Sequence, residues 1–100
     1  MIIRVTDTAI DPEDLDRCTS LFNERITPAL AGLSGSRGIE IQVRVDERHG
    51  DLVEVAIVSR WDHRDAMELA IRSDEYTDAM SELRPLFQQA PIVRIFEVVD

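Results

Sequence analysis

Polar and apolar residues alternate with period two in four stretches of the chain, and apolar residues recur at helical spacing between them. The first stretch, residues 2–9 (IIRVTDTA), predicts a strand with Ile3 and Val5 on one face and Ile2, Arg4 and Thr6 on the other. Asp11 then suits a helix N-cap, with Pro12 at the first helical position. Leu15, Cys18, Phe22, Ile26, Ala29 and Leu30 form the apolar stripe of that helix. Pro28 lies inside the stripe and removes a backbone donor, which predicts a kink or a separated last turn. Residues 32–38 (GLSGSRG) predict a loop. Residues 39–46 (IEIQVRVD) alternate cleanly, and the turn Glu47-Arg48-His49-Gly50 joins them in a hairpin to a third strand ending at Trp61. Val53, Val55, Ile57, Ser59 and Trp61 share one face of that strand.

At Trp61 the period changes. Asp62 suits an N-cap, and Asp65 adds negative charge to the first turn of a helix carrying Ala66, Met67, Leu69, Ala70 and Ile71. Ser73 caps a second short helix with Tyr76, Met80 and Leu83, which Arg84-Pro85 stops. Residues 92–99 (IVRIFEVV) predict the last strand. The order βαββαβ is the ferredoxin-like plan of the α+β class: a four-stranded antiparallel sheet with helices on one face, here one domain over residues 1–100. Ile39, Ile41, Val43 and Val45 join the Val53-to-Trp61 set on the expected helix side. Arg4, Thr6, Gln42, Arg44, Glu54 and Arg60 are expected on the open side, with Leu52, Ala56 and Val58. That mixed face is too apolar in the third strand for water, so packing against a second sheet is expected, with Arg and Glu paired across the contact.

Composition adds limits. One hundred residues bury roughly 60–65% of their unfolded surface, a thin core that dimerisation would enlarge. The net charge of −9, with every basic residue an Arg, argues against nucleic-acid or anionic-membrane partners. No apolar run approaches the roughly 20 residues of a membrane span, and no basic region precedes a long apolar segment, so a cytoplasmic location is expected. Cys18 is the only cysteine, which excludes an internal disulfide, and its place on the apolar stripe predicts a buried, inert thiol.

Metal and nucleophile signatures are lacking. His49 falls in a hairpin turn and His63 in a first helical turn beside Trp61, and neither has a Ser or Cys signature around it. The acidic run Asp11, Glu13, Asp14 and Asp16 reads as a helix start, and no metal site is expected. There is neither a dinucleotide fingerprint nor a phosphate loop. Trp61 stands where a strand hands over to a helix. There the ring either plugs the core or walls a pocket between sheet and helices.

The pieces VAIVSRW, DHRDAM, SDEY and LRPLFQQAPIVRIFEVV resemble the antibiotic biosynthesis monooxygenase family of the dimeric α+β barrel superfamily. The resemblance implies a homodimer in which two sheets form a barrel with helices outside. One branch of that family binds and degrades haem with a Trp like Trp61, an Asn on the first strand and an axial His on the helix after the Trp. This chain has neither that Asn nor that His, so haem binding is not expected. Another branch oxidises phenolic or quinol-type polyketides without metal or flavin, the deprotonated substrate itself reducing oxygen. On that reading no cofactor is needed, and Phe22, Asn23, Ser59, Trp61, Tyr76 and Met80 line the site. Trp61 stacks on a ring, and Asn23 or Tyr76 bonds a substrate oxygen. The catalytic base is unassigned. The competing expectation is a non-catalytic dimeric barrel that binds a small hydrophobic ligand.

Overall fold

The structure, a computed structural model, describes residues 1–46 and 50–100. The turn at 47–49, with His49, lies outside the described residues. Four strands form one antiparallel sheet: β1 Ile2–Ile10, β2 Ser36–Val43, β3 Val53–Trp61 and β4 Ile92–Glu97, in the order β2-β3-β1-β4. After a short 3₁₀ turn, Pro12–Asp14, the first helical arm runs through α1 (Leu15–Leu21), a π-helical turn (Phe22–Ile26) and α2 (Thr27–Ala31). Helices α3 (Arg64–Ile71) and α4 (Asp74–Leu83) follow β3, and a 3₁₀ turn at Arg84–Leu86 leads towards β4. This is the ferredoxin-like α+β architecture.

Local chemistry explains most of the boundaries. Asp11 caps the first arm by accepting from the Glu13 amide, and Pro12 occupies the first helical position. At Pro28 the arm is divided: a π-helical turn sets the short α2, with Pro28 in its first turn, apart from α1. A proline cannot donate to the carbonyl four residues back, and its ring crowds that carbonyl. The preceding turn widens instead: the Thr27 amide bonds the Phe22 carbonyl, a five-residue step, and the stripe Phe22–Ile26–Leu30 stays buried. Strand β2 starts earlier than its alternation indicated, at Ser36, because a bulge between Ser36 and Gly38 brings the loop residues into register with Trp61. It also ends earlier, at Val43. Val45 therefore does not join the helix-facing set and is 94% exposed.

The register settles the faces, since residues opposite one another in an antiparallel ladder share a side. Ile2 lies opposite Trp61, Arg4 opposite Ser59, Thr6 opposite Ile57 and Ile10 opposite Val53. Arg4 and Thr6 thus belong to the helix side, not to the open side where the sequence put them. The open side carries Ile3, Val5 and Asp7, flanked by Arg60, Val58 and Ala56 on β3 and by Phe96, Arg94 and Ile92 on β4. The helices cover the β2, β3 and β1 portion of the sheet, where Val53, Val55, Ile57, Phe22, Ile26, Met67, Met80 and Leu83 pack as one core. β4 is an edge strand, and Ile92, Val93, Ile95 and Phe96 are exposed on both its faces.

Candidate functional site

Trp61 is wholly buried, and its indole Nε1–H donates to Ser59 Oγ at 2.9 Å. The indole's one donor is thereby satisfied inside the core, as a buried Trp requires. Trp61 packs in the same buried cluster as Phe22, Tyr76 and Met80, and Ser59 is buried beside it on β3. Five of the six candidate liners therefore converge beneath the helices. Asn23 does not: it follows Phe22 onto the exposed side of the π-helical turn and faces solvent.

The helix start after Trp61 differs from its expected form. His63, not Asp62, is the N-cap: its backbone is extended and its Nδ1 accepts from the Ala66 amide at 3.3 Å. Asp62 is drawn instead towards β2. Its carboxylate pairs with Arg37, and its amide donates to the Gly35 carbonyl at 2.8 Å. Gly35 is in the left-handed region at φ 83°, and a β-carbon there would meet the Ala66 side chain at 2.6 Å, so only glycine lets this loop lie against α3. Beside it Leu33, Ser34, His63, Ala66, Leu69 and Ala70 line an apolar hollow of about 270 Å³. Ser73 caps α4 as expected, accepting from the Tyr76 amide at 3.2 Å.

Tyr76 ends the buried cluster with a polar group. Its hydroxyl accepts from Arg4 Nη1 at 3.1 Å, and the same Nη1 donates to Thr6 Oγ1 at 3.2 Å. The guanidinium carbon lies 6.0 Å from the Tyr76 ring centroid, within cation–π range. Arg4 is half-buried at the border between the covered sheet and the bare edge of β4, opposite Ile95. Since the Tyr76 oxygen accepts from Arg4, its own O–H remains available to a ligand oxygen. Reading the sequence missed Arg4 because both faces of β1 are mixed. The available signal was Ile10, which shares Arg4's parity and is fully buried.

Among the described residues no group of three or more His, Cys, Asp or Glu is placed to hold a metal ion, and no helix is long and apolar enough to cross a membrane. Burial pushes the Cys18 thiol up from its ordinary value, with the Asp14 charge acting in the same direction. Cys18 is itself wholly buried among the core residues.

No family model matches the chain, and no curated protein sequence matches it closely. Solved structures do share its fold. Rv0793 from Mycobacterium tuberculosis superposes with a TM-score of 0.78 at 18% identity, over 99% of this chain and 95% of that one. An antibiotic biosynthesis monooxygenase matches with a TM-score of 0.77 at 16% identity over the full length of both chains. A variant of SnoaB, a cofactor-independent oxygenase from Streptomyces nogalater, matches with a TM-score of 0.76 at 18% identity, over 99% of this chain and 93% of that one. The chain therefore has the fold of the antibiotic biosynthesis monooxygenases.

Proposed function

We propose that the protein is a cofactor-independent monooxygenase acting on an aromatic, phenolic or quinol-type small molecule, as a cytoplasmic homodimer. The observation that carries this reading is the polar end of the buried cluster: Tyr76, with Phe22, Trp61 and Met80 behind it and Arg4 on its oxygen. The fold shared with a cofactor-independent oxygenase supports it. For an anthrone-like substrate, a ring methylene and dioxygen give a ring carbonyl and water. Both C–H bonds of the methylene break, one oxygen atom joins the carbon, and the other leaves as water with the two hydrogens. The electrons come from the substrate carbanion. The protein then has to hold the ring, manage one proton at a substrate oxygen and exclude water. We assign the second task to the Tyr76 hydroxyl, whose oxygen accepts from Arg4 and whose own O–H is left to donate.

Oxygen consumption with a panel of hydroquinones and anthrones tests this. At least one member is expected to be consumed faster than in buffer. Tyr76→Phe is expected to lower that rate by roughly 10²-fold, the lower end for a lost general acid or base. If no member is accelerated, the second reading stands: a non-catalytic barrel that binds a small hydrophobic ligand. The closed core around Trp61 and the separate apolar hollow beside α3 favour that reading.

The homodimer rests on the bare edge. Ile92 and Phe96 on β4 continue the open face of Ile3, Val5, Ala56 and Val58, and a second copy of this sheet has the matching surface. Arg4 takes no part in that face, and its arginines pair with carboxylates of their own chain. Sedimentation is expected to show a dimer at micromolar concentration and a monomer for Phe96→Asp. A monomeric native protein would overturn it.

A further inference from the structure

Arginines on this sheet are otherwise matched to carboxylates. Arg37 pairs with Asp62, Arg44 with Asp46 and Glu54, Arg60 with Glu40, and Arg94 with Asp7. Arg4 is different. Among the described residues no carboxylate lies within ion-pair distance of it, although the chain holds 20 acidic residues. Its protein bonds all leave from Nη1, to the neutral oxygens of Thr6 and Tyr76. Nε and Nη2 have no acceptor among the described residues, and neither is sealed from solvent. A half-buried guanidinium is thus held by one nitrogen and the Tyr76 ring, with its other edge unbonded among the described residues and not sealed from solvent. That edge is a planar fork of N–H donors, the geometry that bonds two oxygens of an anion in parallel. Apolar surface adjoins it: Ile95 lies opposite Arg4 on β4 and Val93 opposite Thr6, both exposed on the helix side.

We infer that Arg4 is the anion-recognising residue of the ligand site, its Nε and Nη2 binding an oxyanion carried on the aromatic ring system of the ligand, with that ring on the Ile95 and Val93 surface beside Tyr76. The inference rests on the proposal that the site takes an aromatic molecule, and it adds the charge that molecule must carry. A carboxylate and an ionised phenol both present the required oxygen. Thr6 and Tyr76 are positioning residues: they hold Nη1 and so fix the guanidinium before the ligand arrives.

Calorimetric titration of the full chain with naphthoate, its neutral amide and an ionised nitronaphtholate tests this. The native protein is expected to bind at least one of the two anions about tenfold more tightly than the amide, as a hydrogen bond to a charged group implies. Which anion is preferred tells carboxylate from phenolate. Arg4→Gln is expected to remove the preference, bringing the anions to the affinity of the amide in the same variant, and Arg4→Lys to keep only part of it, since a lysine retains the charge without the fork. Equal affinities for all three probes in the native protein would overturn the inference without recourse to any variant, as would a preference that persists in Arg4→Gln. If the amide binds and the anions bind no better, only the role of Arg4 falls. If none of the three binds, the aromatic-ligand proposal falls with it.

Discussion

Arg4 and Arg60 stand on neighbouring strands, one register step apart and on opposite faces of the sheet. Arg60 faces outward, where Glu40 on the adjoining strand meets its guanidinium. Arg4 faces the helices and is met by a phenol and a threonine. The open face as a whole repeats the first pattern, with Arg94 on Asp7 at 2.8 Å and Arg44 between Asp46 and Glu54. Exposed pairs of that kind are screened by solvent and contribute little to stability, but Arg44, Arg60 and Arg94 are each matched by them. The helix face trades charge pairing for packing. Its polar groups are satisfied one by one: Trp61 by Ser59, Thr8 by the Gln89 carbonyl, Tyr76 by Arg4. Arg4 on that face keeps donors to spare, and Glu97, opposite Ile2, lies on the same side without pairing with it. Arg4 thus stands apart from the paired arginines, which is what makes it the candidate for ligand binding.

The contrast between the faces breaks first at Trp61. Trp61→Ala is expected to cost about 3–5 kcal/mol, because the ring is wholly buried and its removal leaves a cavity. A denaturation midpoint measures this, with Trp61→Phe expected to lose far less. A loss below about 1 kcal/mol for Trp61→Ala would mean that the ring borders open space. Tyr76→Phe comes next, at about 1 kcal/mol, since it strips one acceptor from a half-buried guanidinium. On the open face, Arg94→Met is expected to change stability by no more than about 0.5 kcal/mol, its pair with Asp7 being largely exposed. If Arg94→Met costs more than Tyr76→Phe, the two faces have been ranked in the wrong order.

The smallest effect is one of pH. The hydrogen bond from Gln42, followed by that from Arg60 and its charge, holds the Glu40 carboxyl below its ordinary value of 4.5. A carboxylate with a lowered native value stabilises the fold above its unfolded value, and the gain disappears as pH falls through the native one. The midpoints of the native protein and Glu40→Gln are therefore expected to differ slightly at neutral pH. They should converge as the pH drops below the ordinary glutamate range. A difference that grows on acidification would contradict the pairing.

Alternation and helical spacing along the chain determined the elements, their order and the ferredoxin-like plan, because period two and period 3.6 are consequences of backbone geometry and need no neighbours. They also identified the cluster of Phe22, Ser59, Trp61, Tyr76 and Met80, since each lies on the apolar side of its own element. What they left open depended on pairing. The two faces of β1 are equally mixed, and only its register against β3 and β4 turns Arg4 and Thr6 towards the helices and Val5 away. The cap at α3 passed from Asp62 to His63 because Arg37, distant in sequence, claims the Asp62 carboxylate. At Pro28 the form of the division was local: the turn before it widens, with the Thr27 amide on the Phe22 carbonyl, and α2 follows. For the faces of β1 and the cap at α3 the deciding partner came from elsewhere in the chain, so the contact existed only once the sheet had formed.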